Sequence, residues 1–321
     1  MINQLTSIAK NKDNFKTIQD YVNFGKRFLE FVASGHLQAV IVSQNETHYR
    51  FWQFDKTANY QVTRPINSNL MYQASEFDTV SDDFINILQN IRDIEHDAGL
   101  RASLNNTVYT IQQCIGAALD GLPAGDSNRA RKINGDLFER FIKLILVEMG
   151  VNATSGIIRV PVEVDGEVQF KMNYQHDLII SYEGEIKAIG GVKTSSKDRI
   201  DKIFMDKFLY SRITGSDLPH IAVFLNDVQR KGVAPKYGIS GTFLPGHFKG
   251  YTIKLNPLDG VYYCDIRPNM ITEPILKDHI KTFDNLLCVD IWNFLQKEQD
   301  TPLEVEPQDD DVPPDNQLDI A

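Results

Sequence analysis

Residues 176–199 read HDLIISYEGEIKAIGGVKTSSKDR. Two apolar runs, 177–182 and 186–193, flank the polar stretch Glu183-Gly184-Glu185. A glycine at the tip of a short polar turn between such runs signals a β-hairpin. Opposed residues of an antiparallel pair have a constant index sum, so a turn centred on Gly184 predicts Asp177 opposite Gly191. Side chains alternate along a strand, which puts Ile189, Gly191 and Lys193 on one face, with Lys193 diagonal to Asp177. The other lysine, in Glu185-Ile186-Lys187, falls at the far end of the hairpin. At ~3.3 Å per residue it lies ~25 Å from Asp177. Lys193 is therefore the expected partner of Asp177, and Glu185 and Lys187 read as solvated turn charges.

The flanks extend this unit. Residues 195–212 read as a helix, with Ile200, Ile203, Phe204 and Phe208 on an apolar face. Arg199, Lys202, Asp206 and Tyr210 run along a second stripe. Ser195 and Asp198 are spaced as a capping box, and Lys202 and Asp206 as a surface ion pair. Upstream, GDLFERFIKLILVEMG (135–150) repeats apolar residues every three to four positions and ends on a C-cap glycine, Gly150. Helices are also expected over 14–33, 81–97, 104–120 and 278–298. Strand patterns cover 157–164, 167–172, 220–226, 251–256 and 261–266, and a strand–turn–strand covers 38–54. AGDSNRARKING (124–135) reads as a polar loop with a basic cluster at 129–132. The alternation implies an α/β fold, a mixed central sheet flanked by helices. Three regions follow: a mainly helical N-terminal part with a β-hairpin (1–103), the core (104–297), and an acidic, disordered tail (298–321).

The chain has 321 residues and 42% hydrophobic content, enough for a sizeable core. No apolar run is long enough to span a membrane, and the first residues have no signal-peptide pattern. The three cysteines are widely separated, as expected of reduced core thiols in a cytosolic protein. Net charge is −10, but nine acids and no Lys or Arg lie from Glu298 onward, so without them the charge becomes −1. The body is near neutral, which leaves DNA open as a partner.

An aspartate, a strand and then an acid-x-lysine triplet is the pattern of many metal-dependent nucleases. Here the residue two before Lys193 is Gly191, so Asp177 alone leaves a divalent cation short of a hard oxygen ligand. Lys193-Thr194-Ser195-Ser196-Lys197-Asp198-Arg199 resembles the linked catalytic and recognition motif of the CCGG family of type II restriction endonucleases, nearest the AgeI and BsaWI branch. That family is similar in fold to other PD-(D/E)xK nucleases and carries its second acid on the following helix. In one branch the acid lies thirteen residues after the lysine, which is Asp206 here, an Asp in place of the usual Glu. The family also has an acid on an upstream helix, and Glu139 matches it by context. His176 stands where the proline of the family's name would be. The resemblance covers residues 134–210.

The resemblance implies a restriction-endonuclease-like core in which Asp177 and Asp206 hold Mg2+ with Glu139 assisting. Lys193 would stabilise charge on the scissile phosphate. Lys197, Asp198 and Arg199 would read G·C pairs, since arginine suits guanine O6 and N7 and a carboxylate accepts from cytosine N4. The expected activity is double-strand cleavage of a palindromic site with a CCGG or CCNGG core, leaving 5′ overhangs. A homodimer on double-stranded DNA, a cognate methyltransferase as functional partner and a bacterial cytoplasmic location follow from it. Gln112 and Gln113 are candidates for a flanking base, and His176 for a phosphate contact or a packed core position. Two other functions compete. One is a sequence-nonspecific nuclease of repair or mobile-element type, which needs only phosphate contacts. The other is a non-catalytic DNA-binding protein with a degenerate site, which Gly191 favours.

Overall fold

A computed structural model describes residues 2–55, 62–297 and 305–307. The helices that shape the site are α1 (Ile2–Lys10), α2 (Ile18–Ala33), α3 (Ala74–Ser81), α4 (Phe84–Gln89), α5 (Ala98–Asp120), α6 (Ser127–Glu148), α7 (Ile200–Thr214) and α8 (Pro245–Lys254). The strands are β1 (Ala39–Val42), β2 (Tyr49–Gln53), β3 (Ile66–Asn67), β4 (Asn152–Val164), β5 (Glu167–Tyr182), β6 (Glu185–Lys193), β7 (His220–Phe224), β8 (Val228–Val233), β9 (Lys236–Gly241), β10 (Gly260–Tyr263), β11 (Ile280–Thr282) and β12 (Val305–Pro307). A seven-stranded sheet runs β11-β10-β7-β6-β5-β4-β12. Its β4-β5-β6 meander is antiparallel, and β6, β7, β10 and β11 pair in parallel. The expected mixed sheet between helices is what forms.

The hairpin register decides where the site residues fall. Leu178 pairs with Gly190 and Ile179 with Ile189, the index sum expected from the sequence. Two departures cancel to give it. The turn is only Glu183-Gly184, both at positive φ as a type I′ turn requires. Ser181 then pairs with Ile186 and Ile180 with Ala188, so Lys187 is the extra residue of a bulge. Lys187 is buried rather than solvated. Its ammonium bonds Glu185 at 2.7 Å and the Lys297 carbonyl at 2.8 Å, tying the hairpin to the end of the last helix.

The core is continuous across residue 103. Phe15, Tyr21 and Phe28 of the N-terminal part pack with Val108, Ile111, Phe138 and Phe141 of α5 and α6, and with Leu178, Ile180 and Val192 of the sheet. The helix α2 starts with a capping box between Thr17 and Asp20. Several local readings change. Residues 127–135 belong to α6, because Ala, Arg and Lys carry good helix propensity through the expected loop. Residues 251–254 continue α8, which Pro245 starts at its first turn, rather than forming a strand. Residues 280–282 form strand β11 ahead of the last helix. The tail expected to be disordered contributes β12, which pairs with Gly156, Ile157 and Ile158 and satisfies backbone groups of an otherwise open edge. The remaining tail residues lie outside the described residues. Among the described residues no helix is long and apolar enough to cross a membrane.

Gly190 pairs with Ile221 of β7, and a Cβ built on it would lie 2.5 Å from the Ile221 carbonyl oxygen. Backbone cannot yield as a flexible side chain does. Gly190→Ala is therefore expected to destabilise the fold by about 1–3 kcal/mol. The check is the urea midpoint at unchanged m-value, and an unchanged midpoint would refute the close-approach argument.

Candidate active site

The site is built where β5, β6 and α6 meet. Thr154 pairs with Ile179 and Gly156 with His176, so Asp177 and Leu178 together oppose Ser155 alone. This second bulge re-aims Asp177 at the end of the paired region. The Asp177 carboxylate accepts a 2.9 Å hydrogen bond from the Val192 amide across the hairpin. Lys193 ends β6, and its ammonium lies 2.6 Å from Asp177 Oδ2 and 2.8 Å from Glu139 Oε1. The carrier of Glu139, α6, is fixed by its buried face of Leu137, Phe138, Phe141 and Ile142. One turn on, Lys143 Nζ donates to Ser155 Oγ at 2.8 Å and holds the helix against the bulge.

Electrostatics follow from that geometry. Burial first and the Asp177 charge second raise the Glu139 carboxyl, Lys193 opposes both, and the net value is about 7. Burial works against the Lys193 ammonium, yet Asp177 and Glu139 more than offset it and hold its pKa above the ordinary value. Two carboxylates thus share one cation. Hard oxygens in this arrangement suit Mg2+, which is often bound through one or two carboxylates with water and phosphate oxygens completing the shell. Among the described residues, no three His, Cys, Asp or Glu side chains form a group that could hold a metal. The fit is therefore to Asp177 and Glu139 with exogenous oxygens.

Asp206 lies elsewhere. Its carboxylate pairs with Lys202 at 2.8 Å, and it does not line the cleft that holds Asp177. Gly191 faces Asp177, since a Cβ there would sit 3.7 Å from Asp177 Oδ2. That same Cβ would meet Ile203 Cδ1 at 2.9 Å, so α7 fills the space a strand acid would need. His176 is a packed position: its ring stacks on Tyr174 and meets His220 edge-on, and burial lowers its pKa to about 4.

The recognition triplet is presented before α7, not within it. The helix begins at Ile200, and Asp198 has φ +54°, which rules out the capping-box geometry with Ser195. Aspartate tolerates this left-handed conformation better than most residues. Lys197, Asp198 and Arg199 are all exposed. Lys197 Nζ donates to Gln229 Oε1 at 3.2 Å. The side chains of Asp198 and Arg199 make no hydrogen bond or ion pair among the described residues.

Glu139, Asp177, Lys193, Lys197 and Arg199 line one cleft of about 1300 Å³. Ten Lys or Arg and four Asp or Glu line it, so it is strongly cationic although the chain is acidic. Arg131 and Lys132 of the basic cluster are among them. Gln112 and Gln113 are not. Both are fully buried in α5, where Gln112 donates to Asn134 and Gln113 to the Tyr109 hydroxyl. The cleft also contains Gln229 and Arg230 of the β8–β9 hairpin, which the sequence reading missed. The alternation of Tyr237 and Ile239 was the available signal, obscured by Gly232 and Pro235.

The raised Glu139 pKa sets a pH dependence. A folded state that binds this proton more tightly than the unfolded chain gains stability that is full below about 4.5 and is lost as pH rises through about 7. In EDTA, the stability difference between wild type and Glu139→Gln is expected to shift in favour of the variant between pH 5 and pH 8. Urea titrations at both pH values check this, and parallel profiles would refute the shift.

No protein-family model and no curated protein matches this chain. Solved structures do. The crystal structure of the type IIP restriction endonuclease Kpn2I superposes with a TM-score of 0.67 at 18% identity, covering 92% of this chain and 97% of that one. A complex of the restriction endonuclease PspGI with substrate DNA gives a TM-score of 0.36 at 13% identity over 69% of this chain and 93% of that one, too distant to bear on the argument. The first likeness shows the fold: the chain has the mixed-sheet architecture of a restriction endonuclease.

Proposed function

We propose that this chain is a type II restriction endonuclease of the CCGG type that cuts both strands of DNA at a short palindrome with a CCGG or CCNGG core, using Mg2+ and leaving 5′ overhangs. The observation that carries the reading is Lys193 held between Asp177 and Glu139 in a cationic cleft, next to an exposed Asp198-Arg199 pair whose side chains have no partner among the described residues. The Kpn2I-like fold supports it. Asp177 and Glu139 are the carboxylates that would hold Mg2+ first. Asp206, paired with Lys202 outside this cleft, is a further metal ligand on the strength of the family resemblance alone. When bound, Mg2+ supplies Lewis acidity and lowers the pKa of water. Lys193 offsets the charge that builds on the non-bridging phosphate oxygens. The water oxygen bonds to phosphorus as the bond to O3′ breaks, giving a 5′-phosphate and a 3′-hydroxyl. Arg199 and Lys197 donate to guanine, and Asp198 accepts from cytosine N4. A palindrome calls for a two-fold dimer with one site per strand, and for a methyltransferase that protects the host's own DNA in the bacterial cytoplasm.

Digestion of a plasmid with Mg2+ is expected to give discrete fragments. Lys193→Ala and Asp177→Ala are each expected to lower cleavage by at least ~10²-fold, and Asp206→Asn to lower it as well. Lys187→Met, which keeps the buried stem, is expected to cut normally. Wild-type activity in the Lys193 or Asp177 variant would sink the assignment. A smear would favour a nonspecific nuclease. Site-specific binding with no cleavage would favour a non-catalytic binder.

A further inference from the structure

The β8–β9 hairpin is a second element at the cleft, and nothing in the catalytic reading uses it. Its register is regular, with Gln229 opposite Ser240 and Arg230 opposite Ile239. One face is docked. Val228, Tyr237 and Ile239 pack on Tyr49, Phe51 and Val62 of the N-terminal part. Arg230 belongs to that face: its guanidinium sits 5.0 Å from the Tyr237 ring centre and donates to the Val62 carbonyl at 2.8 Å. Gln229 and Lys231 alternate to the other face and are exposed. From 228 to 241 the hairpin carries Arg230, Lys231 and Lys236 and no acid. A cationic two-stranded ribbon has the width that the DNA major groove admits.

Gln229 is held beside the triplet by both ends of its amide. Its Oε1 accepts from Lys197 Nζ at 3.2 Å, and its Nε2 donates to Ser240 Oγ at 3.3 Å. Both contacts are solvent-facing and cheap to exchange. They hold the amide plane beside the triplet with an oxygen acceptor and a nitrogen donor side by side. That pair of groups matches adenine, whose N6 donates and whose N7 accepts. We infer that Gln229 is a specificity-determining residue that reads an A·T pair flanking the pair read by Lys197, with Lys231 contacting phosphate. The inference rests on the endonuclease reading and extends it to the outer base pair.

The test is a set of duplexes carrying the cleavage site of the wild type with randomised flanks, digested by the full-length protein and scored by sequencing. Wild type is expected to prefer A·T at one flanking pair by about 5- to 150-fold, the discrimination of one bidentate contact. Gln229→Ala is expected to lose that preference and keep the others. Gln229→Glu is expected to move it toward cytosine, whose N4 donates to a carboxylate. Lys231→Gln is expected to weaken binding evenly across sequences and to reduce the salt slope by about one. A site-specific wild type whose flank preference survives Gln229→Ala overturns this inference alone. A wild type with no site preference overturns it together with the endonuclease reading.

Discussion

One ammonium organises the site. Lys193 is the shared counter-charge of Asp177 and Glu139, two carboxylates brought together from β5 and α6. Without it, two partly buried acids would repel each other across a low-dielectric space; even with it, burial first and the Asp177 charge second keep the Glu139 pKa raised. Each chain segment near the site serves this geometry. The bulge opposite Ser155 turns Asp177 toward the lysine, the Val192 amide fixes its carboxylate, and Lys143 pins α6 to the same bulge. The pair is weak evidence for stability, as partly buried ion pairs generally are, and stronger evidence for a function that needs negative oxygens in one place.

The N-terminal part buttresses the reading surface as well as filling the core. Tyr49 of β2 donates to the Asp265 carboxylate at 2.9 Å, and Asn67 of β3 donates to its other oxygen at 2.7 Å. Burial raises Asp265 to about 6, with the Asn67 and Tyr49 hydrogen bonds opposing it. This network joins the small sheet to the residues that follow β10. The same sheet carries the β8–β9 hairpin on Tyr49, Phe51 and Val62. A displacement of β2 would therefore reach Gln229 through packed side chains rather than through a loop.

The hairpin pairing was legible because it depends on a sum of residue numbers. A turn one residue shorter than expected and a bulge at Lys187 are equal and opposite errors, so Lys193 reached Asp177 regardless. The bulge at Asp177 was not legible, since no glycine or proline marks it on β5 and only Gly156 of the partner strand stands beside it. Nor was the burial of Lys187: its partners include a carbonyl 110 positions away, and local pattern carries no such information. Glu139 was legible only through the likeness to a nuclease family, because an acid on a helix beside apolar residues looks like any solvated face. Gln112 and Gln113 show the reverse error. They are polar and were candidates for a base contact, yet inside the core Asn134 and the Tyr109 hydroxyl accept from their amide nitrogens. The partner of Asp206 followed local spacing, four residues away on one helix face.

The strand β12 also bears on how two copies of this chain can meet. An open sheet edge is a surface on which a second sheet can continue. Here the chain closes its own edge over Gly156–Ile158, directly beside the bulge. Beyond Ile158 no described residue pairs with this edge of β4, which runs into a β4–β5 ribbon where Val164, Val168 and Phe170 are exposed. Among the described residues, the stretch of this edge that a further strand could still extend therefore lies out along the ribbon, away from the carboxylates, and the chain itself occupies the stretch beside them.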